Sequence, residues 1–174
     1  MDTHNTAQAI VDSVAFAKHA HIDDPVSPDG AVRFHDHTTP YIVHPIWCAM
    51  TIMSETALDE SLRLNGYLAL MWHDVLEDTN ATLPIDTSDE VRSLIGDMSF
   101  SSFATEKEMI WQKSRIIRLL KLYDKTSNLL DAVHLSMEKR NAYVEFTQKL
   151  IVDVEKNFGQ LNIVKIAKAI AIKL

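Results

Sequence analysis

The chain of 174 residues is long enough for one substantial core and short for two of ordinary size, so a single domain over residues 1–174 is expected. Its 47% apolar and 24% charged residues exclude the disordered class, and a formal net charge of −7 removes the basic field by which proteins hold nucleic-acid backbone. A DNA or RNA polymer is therefore not the expected partner, while a small phosphorylated ligand remains compatible with a locally positive pocket. The single cysteine, Cys48, has no mate for an intramolecular disulfide, Met1 to Thr6 lack a basic run leading into an apolar one, and no stretch is apolar enough to span a bilayer. The expectation is a soluble, cytoplasmic protein with no membrane partner.

Only four glycines are present, and no sustained period-2 alternation is seen, so the predicted fold class is all-α. Residues 5–19 place Ile10, Val14 and Ala17 on one helical face. Residues 21–40 hold three prolines and Gly30 without apolar periodicity and read as a loop. A second helix is predicted from about Pro45 to Met53, and a third from Leu58 to Val75, with Leu62, Leu64, Leu68, Met71 and Trp72 giving it an apolar surface nearly all round. Thr87 followed by Glu90 reads as a capping box for a short helix ending near Gly96. A long helical pattern then runs from Thr105 to Val133 with a break near Thr126, another helix runs from Ser136 to a glycine stop at Gly159, and a closing amphipathic helix spans residues 161–174. The apolar face of that last helix packs on the core or supports a homo-oligomer.

The densest chemistry lies in His73-Asp74-Val75-Leu76-Glu77-Asp78, at the end of the apolar third helix. Residues four apart share a helix face, which pairs His73 with Glu77 and Asp74 with Asp78. A merely solubilising acidic patch would sit better at a helix N-terminus, where the macrodipole favours it. A metal site needs further ligands from elsewhere in the chain. His44, held next to Pro45, and Asp124, an aspartate among Leu119, Leu120 and Leu122, are the candidates. Taken alone, His44 reads more readily as a structural histidine and Asp124 as the ion-pair partner of Lys121 or Lys125.

In the order His44, His73-Asp74, Asp124, these residues resemble the HD superfamily of metal-dependent phosphohydrolases. Phe16-Ala17, Tyr41-Ile42-Val43-His44-Pro45, His73-Asp74-Val75-Leu76-Glu77-Asp78-Thr79, and Lys121-Leu122-Tyr123-Asp124-Lys125 followed by Asn128-Leu129 look like the hydrolase domain of RelA/SpoT-type alarmone enzymes and their small stand-alone relatives. The resemblance implies a compact helical HD domain in which His44, His73, Asp74 and Asp124 hold one divalent transition metal, typically Mn2+, with Co2+, Mg2+ or Fe2+ as alternatives. Glu77 and Asp78 would be the catalytic pair that orients and deprotonates water. Asn128 matches a nucleotide-contacting asparagine, and Lys121 lies one turn before Asp124, within reach of a phosphate.

The sequence departs from that family after the first helix. A basic run that embraces guanine and the extra phosphates is expected there, and the chain reads His21-Ile22-Asp23-Asp24-Pro25-Val26 instead. Acidic residues at that place would repel a pentaphosphate. The expectation drawn from this is a purine (deoxy)nucleoside triphosphate of the dATP or dNTP type, split by a triphosphohydrolase, ahead of ppGpp and a 3′-pyrophosphohydrolase. Lys18, Ile22 and Arg33 are expected beside the substrate, with Ile22 forming an apolar wall, and His35 and His37 read as loop residues, not as ligands of a second metal. A helical nucleotide sensor that kept the fold and lost catalysis is the reading from another class, although none of its expected marks, a missing ligand or acid, is present.

Overall fold

Apolar periodicity without strand-like alternation gives helices throughout a computed structural model that describes residues 3–26, 28–33 and 36–173. Nine α-helices follow in chain order among these residues: α1 (Thr3–Asp23), α2 (Val43–Met53), α3 (Glu60–Trp72), α4 (Val75–Asp78), α5 (Asp89–Met98), α6 (Phe103–Met109), α7 (Arg115–Leu130), α8 (Met137–Phe158) and α9 (Asn162–Ala171). Short 3-10 turns lie at Pro28–Ala31, Ile110–Gln112 and Ala132–His134. Among the described residues there is no strand, only isolated bridges pairing Pro25 with Thr79 and Val32 with Pro40. The all-helical expectation holds, and no described helix is long and apolar enough to cross a membrane.

The axis of the bundle is α7, which packs against α2, α3, α5, α8 and α9. Its Leu119, Leu120, Leu122 and Tyr123 are fully buried, which explains why it can carry polar residues on one remaining face without losing its place. Gly66 lets α2, α3 and α7 come together, because a Cβ at that position would lie 2.6 Å from Ile52 Cδ1 and 3.2 Å from Leu120 Cδ2. Helix α1 lies across this core through Ala17 and Ala20, and Phe16 meets the edge of Trp72 with ring centroids 5.5 Å apart. The apolar face of α9, Ile163, Val164 and Ala167, is buried within the chain against α7 and α8, so the face suggested for self-association is already covered.

Several expected boundaries move, each for a local reason. Helix α1 continues to Asp23, and the supposed loop after it is pinned rather than free. Val26 N donates to Asp78 O, Asn80 N donates to Asp24 O, and a second neck is closed by Arg33 N to Thr39 O and Tyr41 N to Ala31 O. The expected third helix is interrupted at His73-Asp74 and resumes as α4, with Asp78 N returning to Asp74 O. The helix predicted from Thr87 is capped one residue later, where Ser88 accepts from Val91 N while the Thr87 hydroxyl donates to Pro84 O; it also runs past Gly96 to Met98. The long pattern from Thr105 breaks at Ser114, which caps α7 by accepting from Ile117 N, and not at Thr126, whose hydroxyl donates to Leu122 O inside the helix.

The N-terminus of α9 has no cap of its own, since Leu161 occupies that position. Glu55, in the turn between α2 and α3 and only 2% exposed, supplies it: its carboxylate accepts from Asn162 N and Ile163 N, both at 2.8 Å, and from the Tyr123 hydroxyl at 3.2 Å. Replacing Glu55 by alanine leaves those donors buried and unpaired, and should destabilise the protein by about 2–3 kcal/mol in urea unfolding. A change within about 0.5 kcal/mol, the range of an ordinary surface substitution, would refute the cap.

Candidate active site

The break between α3 and α4 brings His73 and Asp74 to face α2 and α7. His44 on α2 is 3% exposed, His73 2% and Asp124 on α7 4%, and ligand atoms of these three lie within 4.8 Å of one another. Their two imidazole Nε2 atoms are 3.3 Å apart. Asp74 closes the ring, with Oδ1 3.1 Å from His73 Nε2 and Oδ2 3.5 Å from His44 Nε2, and Asp124 Oδ1 lies 3.6 Å from His44 Nε2 and 4.0 Å from His73 Nε2.

The other ring nitrogens are held from outside the ring of ligands. His73 Nδ1 faces the Leu70 carbonyl oxygen at 2.8 Å, which can only accept, so Nδ1 carries a proton and Nε2 is the atom turned toward Asp74 and His44. His44 Nδ1 is taken by Ser127 Oγ at 2.8 Å. Burial pulls the His44 pKa down to about 3, against the attraction of Asp74, so the ring is neutral. Two imidazole nitrogens and two carboxylate oxygens thus converge. Such a set fits a divalent cation of the borderline transition-metal kind.

The carboxyls around this ring fall into two groups. Burial opposes ionisation of Asp124, but Lys121 and Lys125 outweigh it and hold its pKa well below the ordinary carboxylate range. For Asp74, burial is likewise outweighed by His73 and His44. Glu77 and Asp78 go the other way: burial, together with the charge of Asp74, raises both. The Tyr41 hydroxyl sits between the groups, 2.7 Å from Asp74 Oδ2 and 2.6 Å from Asp78 Oδ2. Adjacent carboxyls driven apart in proton affinity are the pattern expected of ligands beside a general base.

All of this opens on a cleft of about 280 Å³. Tyr41, His44, Asp74, Glu77, Asp78 and Asp124 line one side, and Phe100, Phe103, Glu106, Lys121, Lys125, Asn128 and Tyr143 are among those lining the rest. Lys121 and Lys125 both reach Asp124 Oδ2, at 2.9 and 3.2 Å, so each ion pair weighed in the sequence is formed, and formed together with the juxtaposition to His44 and His73. Glu106 on α6 is 2.7 Å from Lys125 and 3.6 Å from Lys121.

Of the residues expected beside the substrate, Lys121 and Asn128 line the cleft, whereas Lys18 and Ile22 are exposed on α1 and do not line it. Arg33 is buried behind it, and His37 is exposed at a turn with φ 56°. His35 lies outside the described residues. The acidic pair is directed elsewhere: Asp23 pairs with His19 at 2.6 Å, and Asp24 meets Asn80 through its backbone oxygen and, at 3.4 Å, its side chain. Tyr41, Glu106 and Ser127 were not singled out from the sequence, and Lys125 was expected only as an ion-pair partner of Asp124. Tyr41 stood in a quoted motif, but its link to Asp78 crosses 37 positions and has no spacing signal.

No protein-family model matches the chain. A GTP pyrophosphokinase from Myxococcus xanthus is 31% identical over 139 residues, which is 69% of this chain, while the match spans only 18% of that protein's length. A solved structure described as a metazoan ortholog of SpoT that hydrolyzes ppGpp and plays a role in starvation responses superimposes with a TM-score of 0.67, at 20% identity, over 94% of this chain and 93% of that one. The two chains share a fold.

The donor set makes a direct prediction. Metal-free protein titrated with Mn2+ and followed by the loss of the free-ion electron paramagnetic resonance signal should bind one equivalent. His73→Ala should weaken that binding beyond the roughly 100-fold upper end seen when only an outlying partner of a ligand is changed. Because the histidines must be neutral and the carboxylates ionised to bind, affinity should fall as pH is lowered. Binding by His73→Ala equal to wild type would remove the site.

Proposed function

We propose that the chain is a metal-dependent phosphohydrolase of the RelA/SpoT type that removes the 3′-pyrophosphate of ppGpp. The observation that carries this is the convergence of His44, His73, Asp74 and Asp124 beside two carboxyls of raised proton affinity, Glu77 and Asp78, in one cleft. The substrate is argued from two supports. The similar proteins lie on the alarmone side, one a GTP pyrophosphokinase and the other described as hydrolyzing ppGpp. The acidic pair Asp23-Asp24, which favoured a deoxynucleoside triphosphate, is engaged by His19 and Asn80 and does not line the cleft, so that ground for ranking dNTP first falls away.

A divalent ion, Mn2+ in this proposal, held by His44, His73, Asp74 and Asp124, supplies Lewis acidity, lowering the pKa of a water and offsetting charge that develops on phosphorus. Asp78 takes the proton of the attacking water, with Glu77 beside it; burial moves both carboxyls toward the working pH, where a general base is most effective. The water oxygen bonds to the phosphorus carried on the ribose O3′, the O3′–P bond breaks, and O3′ takes up a proton. GDP and pyrophosphate leave. Lys121 and Lys125, which line the cleft, supply the positive charge nearest the phosphates.

Incubating the protein with Mn2+ and ppGpp, and in parallel with dNTPs, NTPs and dNMPs, should give pyrophosphate and GDP from ppGpp alone. Release of triphosphate from dATP with ppGpp untouched would overturn the substrate, and no turnover of anything would leave the sensor reading. Asp78→Asn should lower kcat by roughly 10²–10⁴-fold, the usual contribution of a general base; an unchanged rate would remove it from that role. Tyr41→Phe tests the same group by pH. The Tyr41 hydrogen bond favours ionised Asp78, so its loss raises the Asp78 pKa further, and the acid limb of the kcat profile should move to higher pH. A limb that stays in place or moves to lower pH would contradict the pairing.

A further inference from the structure

We propose that Asn128 is a positioning residue for the ligand oxygen of Asp124 and that Arg33, which does not itself read the base of the nucleotide, locks it in that role. The inference rests on the metal-site reading above. It adds a positioning role to the one that resemblance implied for Asn128 and departs from the expectation that Arg33 lies beside the substrate.

A carboxamide has an accepting end and a donating end, and each end of Asn128 makes one bond within the protein. Its Nδ2 donates to Asp124 Oδ1 at 2.7 Å, the same oxygen that faces His44 and His73. Its Oδ1 accepts from Arg33 Nη2 at 2.6 Å. Flipping the amide would set its NH2 against the guanidinium and its oxygen against the carboxylate, two repulsions in place of two bonds, so Arg33 fixes which end meets Asp124. Since Lys121 and Lys125 hold Oδ2, the ligand carboxylate is secured at both oxygens.

Arg33 is not free to leave this duty for a substrate. Its side chain is 5% exposed, its Nε donates to Asp131 Oδ2 at 3.1 Å, and its guanidinium lies 5.5 Å from the centroid of the Tyr41 ring. Its backbone is anchored on both sides, donating to Thr39 O at 2.7 Å and accepting from His37 N at 2.9 Å. A swing toward the cleft would strip the buried guanidinium of its anion and leave Asn128 Oδ1 unpaired, each a desolvation penalty with no return inside the protein. The forked geometry matters too: one guanidinium reaches two acceptors at fixed angles, and a lysine ammonium on a flexible stem does not.

The experiment is Mn2+ binding to metal-free protein, by the same resonance titration, for wild type, Arg33→Met, Asp131→Asn, Asn128→Ala and the double variant Arg33→Met/Asn128→Ala. Arg33→Met and Asn128→Ala should each weaken binding by about 10-fold or more, the scale of losing a partner that orients a metal ligand. The double variant should be no weaker than the worse single one, because Arg33 acts through Asn128. Asp131→Asn, whose side chain is 35% exposed, should weaken binding in the same direction with the melting midpoint retained, and it decides the matter if Arg33→Met does not fold. Base preference among guanine and adenine substrates should not change in Arg33→Met or Asp131→Asn. Wild-type affinity in Arg33→Met or Asp131→Asn, strictly additive losses, or a switched base preference at unaltered Mn2+ affinity would each overturn the proposal. Failure of the wild-type protein to bind Mn2+ would instead sink the metal-site reading and this proposal with it.

Discussion

One buried carboxylate, that of Asp124, faces two sets of partners through its two oxygens, and the shape of the site follows from that division. Oδ1 looks toward His44 and His73 and takes the Asn128 amide; Oδ2 takes Lys121 and Lys125. A carboxylate almost sealed from water is tenable only when so compensated, and removing either lysine would leave charge stranded in the core. The compensation explains why α7 is at once the most deeply packed helix and the one richest in buried polar residues. Its leucine face anchors it against five neighbours, and its polar face can then hold Lys121, Asp124, Lys125 and Ser127 at fixed positions around the histidines. Glu106 completes the balance from α6, bridging the two lysines across the cleft.

What could be read in the sequence divides along the same line between local and distant. The all-helical class, the polar cluster at His73-Asp74 and the isolated Asp124 in a leucine-rich stretch were legible, because helical periodicity and an acid in an apolar run are local signals. His44 was legible through its proline neighbour together with the family resemblance. Boundaries slipped where two neighbours compete for a cap, as Thr87 and Ser88 do, and where a serine stop such as Ser114 sits inside an otherwise continuous apolar pattern. Glu55 capping α9 and Arg33 holding Asn128 were not legible at all. Their partners lie 107 and 95 positions away, and nothing in local composition announces a bond that only the packed bundle creates.

The acidic turn after α1 shows how a residue read correctly can carry less weight than its charge suggests. Asp23-Asp24 does depart from a basic run, and like charges near a phosphate do repel. What the sequence left open was which partners those carboxylates meet. With Val26 bonded to Asp78 O and Asn80 bonded to Asp24 O, the turn is tied to the end of α4, and its carboxylates meet His19 and Asn80. Charge arguments made along a sequence assume that neighbours in the chain are neighbours of the ligand, and a 20-residue excursion such as residues 21–40 is where that assumption is weakest.

The charge of the cleft itself sets a further condition on any phosphorylated substrate. Five carboxylates line it, Asp74, Glu77, Asp78, Glu106 and Asp124, against Lys121 and Lys125, whose ammonium groups are already shared among Asp124 and Glu106. On a chain of net charge −7, such a pocket repels a polyanion unless cationic charge is added at the ring of acceptors or protons are kept on the outlying acids. Both remedies act in the same place. The ring of His44, His73, Asp74 and Asp124 fits a cation, and burial with the charge of Asp74 raises the proton affinities of Glu77 and Asp78. In the function proposed above, the acids that weigh against a polyanion are thus the same groups that would hold the cation and accept the proton of the attacking water. Substrate entry and proton transfer then depend on one electrostatic balance, centred on Asp74, whose charge raises both Glu77 and Asp78.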